Sequence, residues 1–210
     1  MELRELLARR RMVRSFDATP IDLDWLDQCC ADALWAPTAG NSAGVRMNTL
    51  GREHVIDYLN VATDAAWREG SPRYAGVSRA GAVVLVTTRP QDYLARYAEP
   101  DKATSDLARR EAWTVPYWTS DAAMATMALL LLIEEAGLQA ALWGNFRHER
   151  EVLDWAGIVD EELVATVLVG RGDGRDQPST SRGREVPTRA QRVRRVPSAT
   201  TRPQPPRAGE

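Results

Sequence analysis

The sequence predicts an α+β fold, a central sheet clasped by helices, and three observations carry that prediction. AVVLVTT at 82–88 and LVATVLV at 163–169 are short and rich in β-branched residues, as buried strands are. The run 119–136 between them is apolar almost all round, the pattern of a helix at the centre of a core. The remaining apolar residues recur at three-to-four spacing, which predicts smaller amphipathic helices.

Leucines 3, 6 and 7 predict a first short helix over 2–11, with a break at 17–20. Leu23, Leu26, Cys30, Ala33 and Leu34 mark a second over 22–34, which Pro37 ends because the residue before a proline is pushed out of helical geometry. A small-residue loop at 38–44 leads to a strand over 46–50, and a helix is expected over 53–67. Residues 89–118 are irregular, with Tyr93, Tyr97, Trp113, Tyr117 and Trp118 punctuated by prolines; a stretch this long is a lid or contains short helices. After Gly137 ends the central helix come a short strand at 140–143, a helix at 149–155 and the strand at 163–169. Residues 1–196 are expected to form a single domain, and the Pro-rich 197–210 a disordered tail.

Hydrophobic content of 44% and charged content of 27% suit a globular protein, and a net charge of −2 gives no basic field to recommend nucleic acid. Arginine nevertheless outnumbers acidic residues from Arg171 onward, so an anionic ligand competes there with a merely solvated segment. Adjacent Cys29 and Cys30 give no disulfide framework. The longest apolar run, 122–133, is too short to cross a bilayer, and no leader is evident; a cytoplasmic protein without membrane contact is expected.

Gly40-Asn41-Ser42-Ala43-Gly44 fits the G-x-S-x-G pattern of a hydrolase elbow. That elbow needs a strand before the serine and a helix after it; here the order is reversed, and His54 and His148 both fall in charged surface segments. GRGDG at 170–174 follows a strand with no helix expected behind it, so it is a weak dinucleotide fingerprint. No metal-ligand spacing is present either, and no side-chain catalytic cluster stands out. A chain of this size without one leaves the chemistry to a bound cofactor.

RRRMVRSF at 9–16 followed by APTAGN at 36–41 resembles the FMN-dependent nitroreductase family. The resemblance continues through the helix AAMATMALLLLIEEAGL, the turn ALWGNF, the strand VATVLVG and the segment SRGR, over residues 5–185. RYAEPDKA and WTVPYW are similar to an actinobacterial-type branch. The resemblance implies a mixed or antiparallel sheet, an intertwined homodimer, FMN as cofactor and NAD(P)H as electron donor. Hydride would pass by ping-pong turnover to a small-molecule acceptor such as a nitroaromatic or quinone.

It also implies phosphate and ribityl contacts from Arg10, Arg11 and Arg14, with Arg182 and Arg184 as a later pair. Planar guanidinium donors suit such a phosphate, although arginines at 9–11 also suit a solvated helix end. Pro37, Thr38, Ala39 and Asn41 would serve the partner subunit's flavin, and Trp143, Gly144 and Asn145 would form the turn over the ring, with Trp143 as ordinary core the competing reading. Two departures, Ala43-Gly44 in place of a polar amide and Met12 in place of a serine, leave other readings open: a deazaflavin, a flavin-binding or sequestering protein without nicotinamide turnover, or a specialised flavin dehydrogenase or dehalogenase.

Overall fold

Four antiparallel strands in the order β1-β2-β4-β3 form the sheet of the computed structural model, which describes residues 2–145, 147–177, 179 and 183–196. They are β1 (Val45–Gly51), β2 (Ala82–Thr88), β3 (Gln139–Trp143) and β4 (Glu162–Gly170). β2 lies between β1 and β4, with Val45 opposite Thr88 and Val84 opposite Val167; Trp143 of β3 faces Thr166 of β4. The expected α+β class with an antiparallel sheet is therefore present. A parallel bridge from Met12 to Ala140 lays the segment after the first helix along the free edge of β3.

All seven residues of β2 are buried because both faces of the sheet are covered. Ala82, Val84 and Val86 pack with Val167 and Val169 against α2 (Leu23–Ala33) and α7 (Tyr117–Glu135). Val83, Leu85 and Leu168 point the other way, toward α3 (Val55–Ala62) and α8 (Glu149–Ala156). In α7, Ala122, Ala125, Leu129 and Ile133 are buried one turn apart. Its end is a Schellman turn: Gly137 takes φ +76°, and the Leu138 and Gly137 N–H groups donate to the carbonyls of Ile133 and Glu134. Asp22 caps α2 by accepting from the Asp24 and Trp25 N–H groups.

Two elements differ from expectation. The first helix, α1 (Leu3–Arg9), stops at Arg9. The helix expected over 53–67 is broken at Thr63 and Asp64 into α3 and α4 (Ala65–Gly70), with α5 (Tyr74–Val77) beyond. Thr63 and Asp64 are both extended, and Asp64 takes the N-cap position of the new helix. The aromatic region contains a short helix, one of the two expectations for it: α6 (Pro90–Tyr97), started by Pro90 at its first turn.

The chain divides into two compact units, Met1–Asp176 and Gln177–Glu210. In the second, Thr188 and Gln191 bond reciprocally, side chain to backbone, around the 3-10 turn Ala190–Arg192, and the described arginines are exposed. No described helix is long and apolar enough to cross a membrane.

Candidate functional site

A cleft of about 760 Å³ opens beside the C-terminal end of β3. Arg14, Thr63, Asp64, Trp67, Arg73 and Trp143 line it, together with Gly144, Arg147 and His148. Its back wall is aromatic: Trp67 stands edge-on to Trp143, ring centroids 5.2 Å apart, and edge-on to Tyr74 at 6.2 Å. Three guanidinium groups face a single carboxylate, Asp64, among the described lining residues, so the cleft attracts anionic and electron-rich ligands.

Arg14 reaches the cleft because the segment before it is tied to β3. The Val13 N–H donates to the Ala140 carbonyl at 3.0 Å, and the Leu142 N–H to Met12 Sδ at 3.2 Å. Beyond Arg14 a second clamp follows: its own N–H donates to Asp176 Oδ1 at 2.8 Å, and Ser15 Oγ donates to Asp173 Oδ2 at 2.9 Å. Asp173 also accepts from Arg79 Nη2 at 2.6 Å and from the Arg175 N–H at 2.9 Å. A Cβ on Gly76 would lie 2.3 Å from the Arg14 carbonyl oxygen, so only glycine lets α5 approach this segment so closely.

The Arg175 N–H first, then the Ser15 hydroxyl and the charges of Arg79 and Arg175, hold the Asp173 carboxyl below the usual carboxylate range. A depressed native value gives stability that is full above the unfolded value, about 3.9, and lost as the pH falls through the native one. Asp173→Asn is therefore expected to melt below the wild type at neutral pH, with the gap closing as thermal melts are repeated at more acidic pH. A gap that stays constant down to acid would refute this role.

The turn after β3 is held from behind. Asn145 Nδ2 donates to Thr166 Oγ1 at 2.7 Å, and the Tyr58 hydroxyl donates to Asn145 Oδ1 at 3.0 Å. Burial pushes the Tyr58 hydroxyl up to about 12, so it stays a donor at physiological pH. Arg10, just beyond the end of α1, is half-buried, and its Nε and Nη1 are buried without a hydrogen-bond partner among the described residues. A cationic group in that state is costly unless an anion completes it.

The small-residue loop lies elsewhere. It enters β1, the strand at the opposite edge of the sheet from β3, so three strand spacings, roughly 14 Å, separate it from Gly144. The loop is tightly held. The Ala39 N–H donates to Asp121 Oδ2 at 2.7 Å, the Ala43 N–H to Thr38 Oγ1 at 3.1 Å, and Arg96 Nε to the Gly40 carbonyl at 2.9 Å. Gly40 takes φ +64° at no steric cost, whereas Asn41 and Ala43 have φ of +55° and +51°, strain that persists only where the surroundings impose it. The Ser42 hydroxyl donates to the Ala39 carbonyl, and both histidines lie elsewhere, which disposes of the hydrolase elbow. Tyr93, Tyr97, Trp113, Tyr117 and Trp118 interlock edge to face beneath this loop, with Tyr97 against Gly40 and Tyr93 against Gly44.

The family model described as the nitroreductase family matches residues 7–171. The chain belongs to the nitroreductase family. Among solved structures it is similar to a nitroreductase family protein from Streptococcus pneumoniae, at 17% identity and TM-score 0.67, covering 93% of this chain and 100% of that one. Nitroreductase CinD from Lactococcus lactis, solved in complex with nicotinic acid, matches at 14% identity and TM-score 0.71, covering 93% and 100%. A protein from Staphylococcus epidermidis provisionally named an NAD(P)H:FMN oxidoreductase matches at 18% and 0.64, covering 93% and 95%. No curated protein matches in sequence.

Of the residues that the family resemblance singled out, the structure brings Arg14, Trp143 and Gly144 together in the cleft. Arg10 lies on the strand-like segment leading to Arg14, and Arg11 beside it is exposed. Pro37, Thr38, Ala39 and Asn41 stand apart, at the other edge of the sheet. Arg182 lies outside the described residues, and Arg184 is exposed in the second unit. The cleft adds residues that the sequence reading passed over, Asp64, Trp67, Arg73, Arg147 and His148. His148 is not simply solvated: its side chain is 25% exposed and pairs with Asp64. The turn signals Thr63-Asp64 and Ser71-Pro72 could have placed Asp64 and Arg73 at helix starts.

Proposed function

We propose that this nitroreductase is an FMN-dependent NAD(P)H oxidoreductase, working by ping-pong turnover on a flat acceptor such as a nitroaromatic or quinone. The observation that carries the reading is Arg10, whose Nε and Nη1 are buried without a hydrogen-bond partner among the described residues, on the segment that delivers Arg14 to the cleft. Residues 10 and 14 of an extended chain are roughly 13 Å apart and share a face, a spacing suited to a ligand with a phosphate at one end and a flat ring at the other.

Arg10 would hold the phosphate, Arg14 and Arg73 the polar edge of the ring, and the Trp143–Gly144 turn would lie against its face. When bound, the flavin accepts hydride from a nicotinamide and passes it to the acceptor. The chain's own part is to bind, to orient and to exclude water. Tyr58, Asn145 and Thr166 fix the turn, and Trp67 with Trp143 closes the back of the cleft. The loop at Pro37, Thr38, Ala39 and Asn41 would complete the cleft of a second copy in a homodimer. Its distance from the cleft of its own chain supports this, as does Asn41, which is exposed and whose side chain makes no hydrogen bond among the described residues.

An absorption spectrum of the purified protein is expected to show a flavin, or to acquire one on addition of FMN, and NADH or NADPH is expected to bleach it anaerobically. Protein that stays colourless and leaves FMN fluorescence unquenched would sink the proposal. Protein that binds FMN but is bleached by neither nicotinamide would instead support the sequestering role.

A further inference from the structure

Holding a cofactor does not require the pair at the mouth of the cleft. His148 and Asp64 both line it, each at the N-cap position of its helix, α8 and α4. Neither side chain caps its helix; instead His148 Nε2 stands 3.1 Å from Asp64 Oδ1. The imidazole is three-quarters buried and the carboxylate half-exposed. A carboxylate that engages one ring nitrogen fixes the orientation of the ring, and in the protonated imidazole the other nitrogen, Nδ1, still carries a transferable proton.

We infer that His148, positioned by Asp64, is the proton donor to an acceptor reduced in this cleft, with nitroaromatics as the acceptor class. This rests on the flavin reading above. Reducing a nitro group to nitroso takes one hydride and one proton. The hydride, from the reduced flavin, brings both electrons, so the flavin is oxidised as the nitro group is reduced. The proton comes from His148. One N–O bond breaks, the departing oxygen leaves as water with both hydrogens, and the neutral imidazole is reprotonated from solvent. Unassisted, that oxygen would have to leave as hydroxide, so a positioned acid acts on the difficult step.

The charged groups around the imidazole favour this role for Asp64. Arg14 and Arg73 line the same cleft, and Arg147 adjoins His148. Arg147 Nη1 is itself 3.8 Å from Asp64 Oδ2. Glu149 and Glu151 lie on the first turn of α8, and Glu149 is engaged by the Leu163 N–H at 3.2 Å. Asp64 is the carboxylate that touches the ring.

The test uses the FMN-loaded full chain, reduced anaerobically by light so that no nicotinamide preference enters, then mixed with nitrofurazone while flavin reoxidation is followed. His148→Gln is expected to reoxidise about 100-fold more slowly than wild type, with FMN affinity unchanged. The comparison is repeated across the pH range in which the fold is stable. Added imidazole should recover part of the rate in His148→Gly, which a merely structural loss would not permit. Asp64→Asn should slow reoxidation less than His148→Gln does and add little in the double variant, because Asp64 acts through the ring that it orients.

Reoxidation of His148→Gln within about twofold of wild type over the same pH range would overturn the assignment while leaving the flavin reading intact. A wild type that cannot bind FMN overturns the flavin reading and the assignment together. A wild type that is reduced but never reoxidised by nitrofurazone overturns the acceptor class and, with it, the proton-donor role.

Discussion

Replacing Arg10 with Met is expected to weaken FMN binding about 10- to 100-fold and to make the FMN-free protein melt at a higher temperature. The first effect follows from removing a charge-assisted hydrogen bond to the phosphate, worth about 1.5–3 kcal/mol, at about 1.4 kcal/mol per factor of ten. The second follows from the buried, unpartnered state of Arg10 Nε and Nη1. An uncompensated cation opposes folding, and an unbranched apolar side chain of similar reach removes that opposition. Fluorescence titration with FMN and thermal melts of apo-protein read the two effects separately. Arg11→Gln is the control, since Arg11 is exposed and a surface change there should alter stability little. Unchanged FMN affinity in Arg10→Met would remove Arg10 from the site.

Asp121→Ala is expected to cost about 2–5 kcal/mol of stability and to abolish FMN binding along with dimer formation. Asp121 is only 2% exposed, and one of its oxygens, Oδ2, accepts from both the Ala39 N–H and the Tyr93 hydroxyl, the latter at 3.0 Å. Truncation strands both donors, at about 1–3 kcal/mol each. In the native protein burial first, and then the Asp121 charge, hold the Tyr93 hydroxyl well above the ordinary tyrosine range, so it stays a donor to Asp121. The loop needs this anchor because Asn41 and Ala43 sit in left-handed backbone that costs about 1–2 kcal/mol per residue. Asp121→Asn, which keeps one acceptor oxygen, should lose less. Urea melts, sedimentation and FMN titration together check the prediction; an Asp121→Ala protein that binds FMN normally would show that the loop has no part in the site.

The sheet and its central helix were legible because β-branched runs and all-round apolarity reflect burial, which acts residue by residue. Boundaries set by two-residue turns were less so. Thr63 and Asp64 break one expected helix into two, and the short helix expected somewhere in the aromatic segment gets its start from Pro90. Within the site, the family resemblance pointed to Arg14, Trp143 and Gly144, which do converge. His148 was misread because its partner, Asp64, is distant in sequence, and a local run of charges says nothing about a contact across the fold. GRGDG at 170–174 also finds its use only in three dimensions. Gly172 bridges to Phe16, and Asp173 clamps Ser15 and Arg79, so the glycines serve chain packing rather than a nucleotide. Nothing in the sequence marks Arg10 as unpartnered; that is a property of its surroundings.

The placement of the loop and the cleft at opposite margins of one sheet has a genetic consequence. In the proposed pair of copies each polypeptide lends half of two separate sites, so a lesion in Arg14 and a lesion in Asn41 damage different halves. When two such alleles are expressed together, a mixed pair assembles one wholly defective centre and one wholly intact centre. Alleles that are each null alone can therefore rescue one another, whereas two alleles damaged in the same half cannot.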